Sequence, residues 1–162
     1  MAARVFSELK EMGLNVELAT EYAKDLTWQE SFEVLANQLY VFAKQQHRIW
    51  RLNGKVQIIL TDAPLLISLV YGKETSTPEF RQLVISEYYK RATFDIYLKR
   101  VKPYNPAGRS QSEEQAILLD HEICNEVNKL DGFGLTINGE KDSTKFIVDT
   151  VIEQYNKLNK AE

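Results

Sequence analysis

The sequence predicts an α/β fold of parallel strands joined by helices, and three observations support it. Apolar residues at helical spacing end at Gly13 and give way to an alternating run over 14–20, so helix, turn and strand come in that order. Val56-Gln57-Ile58-Ile59-Leu60 is aliphatic enough for a buried strand, and Thr61-Asp62-Ala63-Pro64 stops it abruptly. The strand candidates are separated by helical segments, and crossovers of that length return the chain in parallel.

Each element follows from its own signals. Ala2, Val5, Phe6, Leu9 and Met12 mark a first helix over 1–12. The strand over 14–20 delivers Glu21 and Tyr22 into a loop at its carboxyl end. From 28 to 52 there is no Pro or Gly, and Phe32, Leu35, Leu39, Phe42 and Ile49 form an apolar stripe that Asn53-Gly54 closes. This is the longest helix expected. After the strand over 56–60, Pro64 suits the first turn of a short helix over 65–70. A polar loop over 72–77 leads to a helix over 78–90 carrying Phe80, Leu83, Val84 and Tyr88, and then to a strand over 93–98. The segment 99–112 holds Pro103, Pro106, Gly108 and the basic residues Lys99, Arg100, Lys102 and Arg109, so it reads as an exposed loop. Ser112-Glu113-Glu114-Gln115 has the form of a helix start. That helix runs to about 130, and Asp131-Gly132-Phe133-Gly134 turns the chain into a strand over 135–138. Phe146, Ile147, Val151 and Tyr155 give a final helix over 143–158.

At 162 residues the chain is expected to form a single domain with a packed core. A net charge of -3 gives no electrostatic reason to expect nucleic acid or an anionic membrane as the main partner. Cys124 is the only cysteine, which excludes an internal disulfide and suits a reducing compartment. No apolar run reaches the length of a membrane helix and the amino terminus lacks the apolar core of a secretion signal, so a soluble, cytoplasmic protein is expected. His47 and His121 lie far apart in sequence, which gives no zinc-ligand pattern.

Thr20-Glu21-Tyr22, Leu60-Thr61-Asp62-Ala63-Pro64 and Phe94-Asp95-Ile96-Tyr97-Leu98-Lys99-Arg100 read like segments of a nucleoside kinase. With them the chain resembles, over nearly its whole length, the ribosylnicotinamide-kinase domain family and its relatives in tailed phages, described as AAA-type or NadR-like ATP-binding proteins. In that family a phosphate loop precedes a helix, one strand ends in Glu-Tyr, a second ends in Thr-Asp, and a third leads into a lid with Gly and Arg. The matching positions are Glu21-Tyr22, Thr61-Asp62 and Gly108-Arg109. The lid match is incomplete: Ala107-Gly108-Arg109 stands where the family commonly has Asp-Gly-x-Arg.

The resemblance implies a three-layer parallel sheet with helices on both faces, whose central strand comes first in sequence and carries the phosphate loop. The 162 residues contain no G-x-x-x-x-G-K-S/T, and Met1-Ala2-Ala3-Arg4 corresponds to the helix just after it. The expectation is a kinase-like domain over 1–162, with a lid-like loop over 99–112, that lacks the usual first strand and phosphate cradle. Such a chain is either a truncated transferase, inactive by itself, or a scaffold that has abandoned catalysis. The alternative function is a non-catalytic nucleotide-binding or protein-interaction module, acting on a host partner in the host cytoplasm if phage-encoded. Removing a central strand leaves its neighbours' backbone groups unpaired, so either the flanking strands pair directly or a second chain joins as a homodimer or other partner.

By resemblance, Asp62 would hold magnesium, directly or through water, and Glu21 would contact the nucleoside or orient its hydroxyl. Arg109 would offset charge during transfer, with Arg100 also reaching phosphate oxygens. Tyr22 and Gln38 would bind substrate, and ATP with Mg would be the cofactors. Without the resemblance, Asp62 reads equally as a turn acid before Pro64, Glu21 as a solvated loop acid, and the two arginines as part of a solvated basic loop. Asn37, Gln38, Gln45 and Arg48 flank the apolar stripe and are candidates to read a base or ribose, and Tyr22, Trp28 and Tyr104 are candidates to stack on a ring.

Overall fold

The computed structural model describes residues 1–72, 77–107 and 111–160 and shows a mixed α/β architecture. Helix α1 (Ala2–Glu11) and strand β1 (Val16–Ala19) meet at Gly13, whose φ of 83° is a left-handed turn that a side chain resists. Tyr22, expected in a loop, instead opens helix α2 (Tyr22–Trp28), and the single helix expected over 28–52 is divided into α3 (Phe32–Ala36) and α4 (Gln38–Trp50). Asn37 leaves the helical region and its side chain accepts the Tyr40 N–H, which caps α4. Glu30, at φ 54°, turns the chain between α2 and α3.

Strand β2 (Ile58–Thr61) leads through a tight turn over Leu65–Ile67 into α5 (Ser68–Tyr71). Helix α6 (Pro78–Tyr89) starts at a Thr77 cap with proline in its first turn. Strand β3 (Ile96–Lys99) follows, and α7 (Glu113–Asn128) opens on a capping box between Ser112 and Gln115. Strand β4 (Leu135–Asn138) and α8 (Ser143–Asn159) complete the described chain, and α8 is its longest helix.

All strand pairing among the described residues is parallel, and it forms two separate two-stranded pairs. β1 pairs with β2, placing Ala19 opposite Thr61, and β3 pairs with β4, placing Lys99 opposite Asn138. Strands β2 and β3 do not pair with each other, so the direct closure considered from sequence does not occur. A cavity of about 840 Å³ lies between them. Two cross-ties fix the relative direction of the pairs. The Thr144 hydroxyl at the start of α8, which donates to the Lys141 carbonyl at 2.7 Å, lies 3.4 Å from the Met1 sulfur, bringing together the carboxyl ends of β4 and β1, because α1 doubles back before β1. The Gln57 amide donates to the Tyr155 hydroxyl at 2.9 Å, joining the amino end of β2 to the late part of α8. Both pairs therefore run the same way.

Side-chain alternation assigns the two faces. Val16, Ile58, Leu60, Ile96, Leu135 and Ile137 pack with Val5 and Leu9 of α1 and Ile147 and Val148 of α8. Ala19 and Ile59 instead join a cluster with Phe42, Leu66, Leu69, Val84 and Val127. One apolar cluster thus receives residues from both strand pairs, and it links them without a hydrogen-bonded ladder.

Asp95 precedes β3 and accepts the Tyr88 hydroxyl at 2.7 Å. Burial pushes the Asp95 carboxyl above its ordinary value of 3.8, while the bond from Tyr88 opposes the rise. The folded chain therefore holds that proton more tightly than the unfolded chain, and this contribution to stability falls as pH rises from the ordinary range through the raised value. Asp95→Asn keeps an acceptor for Tyr88 and removes the titration. Thermal melts from pH 4 to pH 8 are expected to show the variant gaining on the wild type as pH rises; a constant difference would contradict the assignment.

Candidate functional site

The adjacent carboxyl ends of β1 and β2 form a polar rim. Because Ala19 lies opposite Thr61, Thr20 and Asp62 leave the pair side by side. Gln45 of α4, only 6% exposed, ties the two strand ends together. Its carbonyl accepts the Tyr22 N–H at 2.9 Å and its amide donates to the Thr61 hydroxyl at 3.4 Å. The Thr61 hydroxyl also accepts the Ala63 N–H at 3.1 Å, which sets the turn below Asp62.

Arg48, one turn further along α4, braces the same rim. Its guanidinium donates to the Thr20 carbonyl at 3.0 Å, to the Thr20 hydroxyl at 2.9 Å and to the Asp25 carboxylate. It lies 5.2 Å from the Tyr22 ring centre, in cation–π range. Tyr22 and Tyr40 meet edge to face at 6.0 Å, with the Tyr22 hydroxyl donating to the Tyr40 hydroxyl at 3.4 Å. That bond holds the Tyr22 hydroxyl above its ordinary pKa and pulls the Tyr40 hydroxyl below it.

The residues singled out from sequence fall in different places. Glu21 is half-buried at the N-cap position of α2, although its side chain does not cap the helix. Asp62 is exposed at the neighbouring strand end. These two and Tyr22 share the β1–β2 rim. The Gln38 amide donates to the Leu35 carbonyl at 2.8 Å, so it closes the junction between α3 and α4. Gln45 and Arg48, polar interruptions of the same stripe, contact the rim instead. Arg100 follows β3, pairs with Asp120 at 2.8 Å and lies 5.8 Å from the Tyr104 ring centre. It borders a second, open hollow of about 550 Å³ with Lys99, Lys102, His121 and Tyr97, whose hydroxyl burial pushes up to about 12. Arg109 and Gly108 lie outside the described residues.

The chain matches no family model, no curated protein and no solved structure. Among the described residues no helix is long and apolar enough to cross a membrane. No three His, Cys, Asp or Glu side chains among them gather as metal ligands.

The donor set decides what the rim can hold. Magnesium is typically bound through one or two carboxylates together with substrate phosphates and water, and Asp62 offers one exposed carboxylate. The phosphates themselves need a run of backbone N–H groups, and the sequence has no glycine-rich loop to present one. The residues present therefore do not fit a magnesium triphosphate by themselves.

Proposed function

We propose that this chain is the three-layer scaffold of a phosphate-loop nucleoside or nucleotide kinase-like protein, and that its β1–β2 rim recognises the nucleoside. The observation that carries this reading is the pair of parallel sheet halves flanking a gap. That is the arrangement left when the central strand of such a sheet is absent. Glu21 and Asp62 at neighbouring strand ends, with Tyr22 and Arg48 beside them, support the same assignment. Phosphoryl transfer, with ATP and Mg as cofactors, would require a phosphate cradle that these residues do not supply.

Calorimetric titrations of nucleosides, and of ATP with and without magnesium, test the reading. Weak, metal-independent nucleoside binding is expected, and Tyr22→Ala should weaken it by about tenfold through loss of the ring. ATP should bind no tighter with magnesium than without. Absence of binding by every nucleoside would overturn the assignment of the rim; tight magnesium-dependent ATP binding would overturn the claim that the phosphate cradle is lacking.

A protein-interaction reading has its own support. Trp28, Phe32, Val34, Leu39 and Tyr40 are all exposed within one short stretch of α2, α3 and α4, more large apolar surface than isolated exposed residues account for.

A further inference from the structure

The cavity between β2 and β3 is built for one kind of occupant. Each strand is paired on one side only, and in a parallel ladder alternate residues direct their N–H and C=O groups to opposite sides. The second edges of β2 and β3 thus present backbone donors and acceptors to the cavity that both strands line. Its walls are apolar: Val5, Ile147 and Val151 on one face, Leu66, Tyr88 and Val127 on the other.

The size agrees. A residue of a parallel strand occupies about 4.8 Å across the sheet, about 10 Å through it and about 3.3 Å along it, or about 160 Å³. At that figure, 840 Å³ holds roughly five residues, against the four in each flanking strand. Two local features mark the space as open to a ligand. Ile58, Ile59 and Leu60, the most aliphatic strand run in the sequence, are only half-buried. The Arg91 Nε–H, which belongs to a residue lining the cavity, is buried with no acceptor among the described residues.

We infer that this slot receives an extended apolar segment of about five residues from another polypeptide segment, lying parallel to β2 and β3 and hydrogen-bonded to both. Its side chains alternate between the two apolar walls, so it is valine- or isoleucine-rich on both faces and contains no proline. Its carboxyl end emerges beside Met1 and Asp62, and its amino end beside Gln57 and Asp95. This goes beyond the nucleoside reading and stands whether or not the rim binds a nucleoside.

The test uses the full chain and a peptide of alternating valine and isoleucine, about five residues long, with lysines at both ends for solubility. Binding in a one-to-one complex is expected, with slowed amide exchange in both 58–61 and 96–99. Methylating alternate backbone nitrogens preserves the apolar surface and removes donors, so it should weaken binding by about tenfold or more. A nitroxide on the peptide's carboxyl end should broaden signals near Met1 and Asp62, and one on its amino end those near Gln57. Equal binding of the methylated peptide would show a greasy cavity and overturn the inference. So would protection of only one strand, reversed nitroxide effects, or no binding at all.

Discussion

Truncating Leu9 to alanine is expected to cost about 3 kcal/mol, a large fraction of the stability of an ordinary domain. Leu9 is fully buried, and its cluster is the one that receives residues from both strand pairs. In a continuous sheet, a hole on one face leaves the ladder intact. Here β2 and β3 share no ladder, so packing against α1 and α8 joins the halves on this face, while α7 and the Tyr88–Asp95 bond link them on the other. Urea unfolding with amide exchange should therefore show more than a lower midpoint: exchange should quicken in both strand pairs. A loss under about 1 kcal/mol would mean the halves are held together elsewhere.

Replacing Gln45 by leucine is expected to cost about 2–3 kcal/mol and to loosen the rim. The leucine fits the space but leaves the Tyr22 N–H without its acceptor and the Thr61 hydroxyl without the amide donor. The hydroxyl can reorient, whereas the backbone N–H cannot, so most of the cost falls on the first turn of α2. Thr61→Val removes the longer bond from the Gln45 amide and also the acceptor of the Ala63 N–H, so its loss falls on the turn after β2 rather than on α2. A loss under about 1 kcal/mol for the leucine variant would show that Gln45 acts through packing alone. Nucleoside titration of the leucine variant then reports whether the tie between β1 and β2 also shapes the ligand surface.

Much of the secondary structure was legible because its signals are local. Gly13, the Pro64 turn, Thr77-Pro78 and the Ser112–Gln115 capping box place element boundaries with little help from tertiary contacts. The division of the 28–52 segment was not read, because Asn37 is polar enough for a helix surface and acts as a cap only once its backbone leaves the helical region. The same ambiguity hid the rim. Gln38, Gln45 and Arg48 are alike as letters, and only the helix rotation reveals that Gln45 and Arg48 face the strand ends while Gln38 serves a junction. The break in the sheet was not legible from the strand signals, which mark where strands lie and not which of them pair. Its outcome, a gap rather than a closed ladder, depends on side chains from both helical faces filling the flanks.

The recessed position of the β2 and β3 edges also bears on how the protein survives at high concentration in a cell. An open strand edge on a flat surface templates pairing with any similar edge, and that is a route to aggregation. Here each edge looks across a narrow space at the other, beneath helices on both sides. An edge flanked in this way is less open to a neighbouring folded sheet than to a single extended stretch, so unfolded chains are a greater hazard to it than native neighbours.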